Sequence, residues 1–450
     1  MRLANTNDYK PLADPHTWSL LESNVAKFQK KRLYVSFFSS TPLGGGVAIM
    51  RHALLRFFRL FTLDAHWFVT KPKPDVFNIT KYKFHNVLQG VSSVDVKLSS
   101  GDKAIYESWC QSNIEQGWQV GPFKLSNVIV IDDPQLIGII PCIKATNPSC
   151  KIIFRCHIHL RKDLIDAGEN ETANVWDYLW GFMKDSVDLF IFHPMTEDSI
   201  PNCVPRAKIR YFPAFVDQLD GLSKHISEEN TDHYMNLFAR LVHDSTGRRL
   251  TYPTRPYITQ ISRFDPSKGI EDVIKAYQLL RRKIDCVLPF TKIPQLVITG
   301  ISAVDDPQGN SFLQELQQKL KEYEDIATDV IMFISPPSDQ LLNVILGSSE
   351  IYLQLSVREG FEIKVTEALM HGKPVVAYST GGIVMQVQNG VNGFLVSPGD
   401  IEQVASHLEK LLVDVDEMEK VKRNILGFRI GDLDIVSQSN KWLDCITNLA

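Results

Sequence analysis

The residues best equipped for chemistry lie in the segment 358–374, R-E-G-F-E-I-K-V-T-E-A-L-M-H-G-K-P, which sets Glu359 and Glu367 eight positions apart. Residues 362–371 are largely helix formers, and Gly372 and Pro374 end the run. Glu359 is therefore expected in the loop before this helix and Glu367 one turn inside it. Gly360 can take backbone angles that other residues avoid, so the chain can turn sharply there and expose amides. Carboxylates accept hydrogen bonds from sugar hydroxyls, and free amides at a helix start favour phosphate. This segment offers both.

Five more motifs carry polar or glycine-rich chemistry. T-P-L-G-G-G at 41–46 includes Gly44 and Gly45 and lets a phosphate approach the backbone, although glycine-rich turns also follow many strands. S-R-F-D-P-S-K-G at 262–269 supplies Arg263 and Lys268; Arg grips an oxyanion through two donors, while Lys is a point charge. Both are equally readable as solvated surface cations. F-R-C-H-I-H at 154–159 places His157 where it can hydrogen-bond a sugar hydroxyl or donate to a leaving oxygen. Cys156, His157 and His159 do not form a convincing metal-ligand set, so no metal is expected. I-D-D-P-Q at 131–135 gives Asp132, Asp133 and Gln135, which suit a polyhydroxyl ligand or a turn with a helix cap. S-T-G-G at 379–382 is a second close-approach turn.

All six segments follow apolar, strand-like runs. In the first half these runs are 33–38, 66–69, 128–131, 152–156, 189–192 and 209–212, with helical patterns between several of them, as at 47–61 and 174–186. The second half repeats the plan with 257–261, 296–299, 331–334, 351–355 and 375–378. Near-continuous apolar strands separated by helices predict parallel sheets covered on both faces. The fold class expected is α/β, with two doubly wound Rossmann-like domains and the ligand outside the carboxyl ends of the strands. The domains are expected at 1–250 and 251–430, with 431–450 a final helix that packs back on the first. A polar stretch at 217–256 reads as the connection, with a short helix at 234–242.

At 450 residues the chain can bury two cores, and 44% hydrophobic with 22% charged residues is ordinary for a globular protein. A formal charge of −4 gives no field for nucleic acid or an anionic membrane. No run reaches the length of a transmembrane helix, and M-R-L-A-N-T-N-D-Y-K lacks the apolar core of a signal peptide. Seven scattered cysteines suit reduced thiols, so a cytoplasmic location is expected.

Together the motifs resemble the retaining glycosyltransferases of the GT-B fold, with an active-site crevice between two Rossmann-like domains. T-P-L-G-G-G, D-D-P-Q, R-C-H-I-H-L-R, V-W-D-Y-L-W and R-E-G-F-E-I-K-V-T-E-A-L are similar to fungal retaining trehalose phosphorylases and related trehalose-forming transferases. The likeness runs from about residue 33 to 442. It implies reversible phosphorolysis of α,α-trehalose by front-face displacement, without a protein nucleophile, a metal or another cofactor. By that resemblance Arg263 and Lys268 hold phosphate, helped by amides of Gly44 and Gly45 and of the turn Gly360, Phe361, Glu362 and Ile363. Glu359 orients the transferred glucose, His157 contacts it near the reacting centre, and Asp132, Asp133 and Gln135 meet the other glucose. In nucleotide-sugar relatives the second glutamate, Glu367 here, meets the ribose. The resemblance implies small-molecule partners (trehalose, glucose, phosphate or glucose 1-phosphate) and leaves room for a homodimer.

Three features depart from the group. About thirty residues precede the first strand, where fungal relatives carry a long N-terminal region. Ile383-Val384-Met385 replaces a common proline after the G-G turn, and His159 occupies an often acidic place. A nucleotide-sugar-dependent synthase is the alternative activity, and a non-catalytic sugar sensor the third. A dehydrogenase is disfavoured, because Gly44–Gly46 lack the dinucleotide fingerprint spacing.

Overall fold

The computed structural model describes residues 4–43, 45–195, 199–302, 309–428 and 430–450. The chain folds as two compact units, one holding Met1–Asp217 and Gly431–Ala450, the other Gln218–Ala303 and Gln308–Ile430.

The first unit is built on six parallel strands: β1 (Val35–Ser39), β2 (Ala65–Val69), β3 (Val128–Asp132), β4 (Lys151–Arg155), β5 (Leu189–Phe192) and β6 (Ile209–Tyr211). Their order is β2-β1-β3-β4-β5-β6, so the winding reverses between β1 and β3. Every residue of β1, β3 and β5 is buried, which is why these runs read as continuously apolar rather than alternating. The register sets Asp132 beside Arg155 at the carboxyl ends of β3 and β4.

The second unit holds β7 (Tyr257–Ile261), β8 (Gln295–Ile301), β9 (Val330–Ser335), β10 (Ile351–Gln354), β11 (Val375–Tyr378) and β12 (Gly393–Val396). These strands are also parallel, in the order β12-β11-β10-β7-β8-β9, with the reversal between β7 and β10. In each unit motif-bearing loops leave both strands that flank the reversal, the place where doubly wound sheets bind ligands, and the remaining two leave the neighbouring strands β4 and β11.

The expected boundary at residue 250 is corrected to Asp217. The short helix expected at 234–242 extends over Glu228–Thr246, capped by Ser227 and closed by Gly247 at φ 67°. Its Met235, Phe238 and Val242 enter the core of the second unit, so 218–250 belongs there rather than to a connection.

The last helix, Ile435–Leu449, joins the first unit, capped by Asp434. It lies against the helix Pro15–Lys31, where Asn24 donates to Asn440 Oδ1 at 2.7 Å and Lys31 donates to the Thr447 carbonyl at 2.8 Å. All seven cysteines are free. Among the described residues no helix is long and apolar enough to cross a membrane.

Candidate active site

In the first unit, β3 ends on a carboxylate that the core cannot leave unpaired. Asp132 is 1% exposed, and Arg51 from the helix Gly46–Leu60 grips it through Nη2 at 2.7 Å to Oδ1 and Nε at 3.1 Å to Oδ2. His157 Nε2 lies 3.1 Å from the same Oδ1. Burial disfavours charge on Asp132, but Arg51 and then His157 outweigh it and hold the carboxyl below its usual range. Both oxygens thus serve the protein, which corrects the expectation that Asp132 meets a sugar hydroxyl.

Asp133 adopts φ 63°, a left-handed conformation an L-residue holds only when its surroundings impose it. Two bonds impose it here. The Asp133 amide donates to the Arg155 carbonyl at 2.8 Å, and its Oδ1 accepts the His157 amide at 2.7 Å. Burial pushes its carboxyl above the usual range. Behind this pair Arg155 donates to the carbonyls of Phe192 and Phe212 and reaches His193 Nδ1 at 3.1 Å. Burial, and next the Arg155 charge, push His193 well below its usual value.

Two buried polar atoms of this cluster, His157 Nδ1 and Gln135 Oε1, have no hydrogen-bond partner among the described residues. Buried polar atoms are rarely left so, and a bound polyhydroxyl molecule would satisfy them. Gly45 begins the helix Gly46–Leu60 without a side-chain cap, and a Cβ there would meet nothing within 4 Å. Its surroundings are therefore open to a ligand; Gly44 lies outside the described residues.

In the second unit the loops after β7, β10 and β11 interlock. Asp265 Oδ1 accepts from the Ser267 amide at 2.8 Å and shapes the turn Pro266–Lys268. Gly269 follows at φ 60°, and a Cβ there would fall 2.0 Å from the Leu355 carbonyl oxygen. Only glycine lets these two loops approach so closely. A Cβ on Gly381 would sit 1.8 Å from the Glu359 carbonyl oxygen, and the Gly382 amide donates to the Gly360 carbonyl at 2.9 Å. The G-G turn is therefore a buttress for the glutamate loop.

The charges converge on Lys268. Its Nζ is ion-paired with Glu359 and lies 2.9 Å from Glu362 Oε2. Burial alone would lower the lysine, but these two carboxylates, Glu359 foremost, raise it. Burial, more than the like charge of Glu362, pushes Glu359 up against the pull of Lys268. Glu362 is held down, because Lys268 and then Lys364 outweigh its burial. Arg263 is half-buried and close enough for its charge to act on Lys268.

Three expectations change here. The left-handed residue of the turn is Glu362 (φ 60°), with Gly360 instead donating its amide to Glu359 Oε1 at 3.1 Å. Glu362 caps the helix Ile363–Met370, accepting the Lys364 amide at 3.4 Å, and of the amides expected to meet phosphate at 360–363 that of Gly360 is taken by Glu359. Phe361 and Ile363 are buried and are packing residues as side chains. Glu367 does lie inside the helix, 2% exposed, with Lys364 Nζ 3.3 Å from its Oε2. That contact lacks hydrogen-bond geometry, and burial raises the Glu367 carboxyl.

Sequence reasoning missed Arg51. Its signal was present: Ala48, Arg51, Leu54 and Phe58 form one buried stripe of the helix, and a charge on such a stripe demands a buried counter-charge.

Two family models match the chain, the trehalose synthase N-terminal domain over residues 37–197 and glycosyl transferases group 1 over 246–426. The trehalose phosphorylase of Grifola frondosa is 41% identical over 97% of this chain and 60% of its own length. That of Pleurotus pulmonarius is 40% identical with the same coverage, so the chain spans about 60% of these curated relatives. The trehalose synthase of Pyrococcus horikoshii is 31% identical over 98% of this chain and 96% of its own. Among solved structures, a UDP-forming α,α-trehalose-phosphate synthase from Burkholderia xenovorans aligns with TM-score 0.71 at 13% identity, over 92% of this chain and 99% of that one. The last likeness concerns the fold, which is GT-B. By its near full-length match to trehalose synthase, the chain belongs to the GT-B glycosyltransferase family of trehalose synthases and trehalose phosphorylases.

Proposed function

We propose that the chain catalyses reversible, configuration-retaining phosphorolysis of α,α-trehalose to glucose and α-glucose 1-phosphate. The observation that carries this reading is the 41% identity with a trehalose phosphorylase, against 31% with a trehalose synthase, at almost equal coverage of the chain. In the reaction the bond from C1 to the departing glucose oxygen breaks as a phosphate oxygen bonds to C1 on the same face. The departing oxygen takes its proton from the incoming phosphate, so no protein nucleophile is required. The protein's contribution is then position and charge.

In this reading Arg263 and Lys268 hold phosphate, with the Gly45 backbone assisting. Phosphate shares Lys268 with Glu359 and Glu362. Glu359 orients the transferred glucose. His157, Asp133 and Gln135 meet sugar hydroxyls, and Asp132 holds His157 in place. Glu367 lies buried in its helix 3.3 Å from Lys364 Nζ, and phosphorolysis leaves it no ribose to meet. Seven free cysteines support a reducing, cytoplasmic setting.

The Pyrococcus relative favours a second reading, a nucleotide-sugar-dependent synthase. Glucose release from trehalose separates the two. Release with inorganic phosphate and none with a nucleoside diphosphate is expected. Release with the nucleotide alone would transfer the assignment to the synthase, and release with neither, in folded protein, to a non-catalytic sugar sensor.

A further inference from the structure

Arg51 is 4% exposed, and its guanidinium is packed between aromatic rings as well as paired. It lies 4.0 Å from the Phe37 ring centroid on β1 and 5.5 Å from that of Trp442 on the C-terminal helix. Stacking fixes the plane of the fork, and the fork fixes both oxygens of Asp132. An arginine held so firmly keeps Asp132 an anion, which can only accept hydrogen bonds. The nitrogen facing it, His157 Nε2, must then carry the proton. In a neutral imidazole the lone pair is left on Nδ1, the buried atom without a partner. The His193 ring packs edge-on 5.3 Å away, and the His157 amide is tied to Asp133 Oδ1.

We propose that Arg51 is a positioning residue that acts through Asp132 to fix the tautomer of His157, presenting Nδ1 to the ligand as a hydrogen-bond acceptor. The group it meets is a hydroxyl that donates, and His157 does not deliver a proton to the departing oxygen from this atom. The inference rests on the reading of His157 as a sugar contact, but the tautomer itself is measurable without substrate.

The test uses the full chain labelled with ¹⁵N at histidine, with the His157 ring identified by its loss in His157→Gln. Long-range proton–nitrogen correlation is expected to show Nε2 protonated and Nδ1 bare in the wild type. Arg51→Met is expected to mix the tautomers and lower kcat/KM for trehalose by about 10–100-fold, the usual cost of losing such a supporting contact. Arg51→Lys, which keeps the charge and loses the fork, should fall between them in both measurements. A proton on Nδ1 in the wild type overturns the proposal, and so does Arg51→Met with the wild-type tautomer. Should Arg51→Met fail to fold, the wild-type tautomer and Arg51→Lys decide the matter. Absence of phosphorolysis, with the tautomer as expected, would instead count against the functional reading alone.

Discussion

A carboxylate buried beside a single lysine has a cost that pH can expose. Burial raises Glu367 in the folded state above its unfolded value of 4.5, despite Lys364. Between 4.5 and the folded value the native state therefore binds more protons than the unfolded one, and stability falls as pH rises through that window. Glu367→Gln removes the ionisation while keeping the shape. We expect it to raise Tm by a few degrees at pH 7.5, with the gain shrinking as pH approaches 4.5. Thermal denaturation of both proteins across this range checks it. A loss at pH 7.5 would mean that the Lys364 contact outweighs burial, and a gain independent of pH would mean that it does not come from the ionisation of Glu367. The same balance runs the other way for Asp132, where a bidentate arginine outweighs burial and keeps the charge.

At the scale of elements, glycines do two different jobs. Gly381 (φ 49°) is packed against the Glu359 carbonyl, whereas Gly45 has extended backbone and open space around its Cβ direction. Gly381→Ala is expected to cost about 1–3 kcal/mol, as overpacking does, and to abolish most activity by displacing the glutamate loop. Gly45→Ala should stay within about 0.5 kcal/mol of wild type. Urea unfolding measures both, and equal costs would contradict this assignment. The strands were legible because both faces of each sheet are covered, which leaves continuous apolar runs. Among the described strands only β12 escaped, a four-residue strand that begins with Gly393 and follows the turn-like N-G-V-N. The helix Glu228–Thr246 looked short because its first turns, E-E-N-T-D-H, bury nothing. The left-handed turn residue was assigned to Gly360 on intrinsic preference, while the bond from Lys268 helps to hold Glu362 there instead. Residue type reveals what a position can adopt; the partner that selects it comes from a distant loop.

Over the whole chain, sequence separation and spatial support come apart. Trp442, near the C-terminus, packs on Phe37 of the first strand and on Phe212, and it backs the arginine that grips Asp132. The last helix is thus part of the first unit's site even though a whole second unit lies between them in sequence. Pairings of this kind leave no local pattern: the buried stripe of the helix marks Arg51 as a charge in need of a partner, but only the fold supplies Asp132, Phe37 and Trp442. The central claim is that inorganic phosphate takes glucose from trehalose with retention. Phosphorus NMR of the purified protein with trehalose and phosphate tests it in one sample, because the α and β anomers of glucose 1-phosphate give distinct signals. The account predicts growth of the α anomer alone, matched by free glucose. The β anomer would contradict retention, and an unchanged phosphate signal from folded protein would contradict phosphorolysis itself.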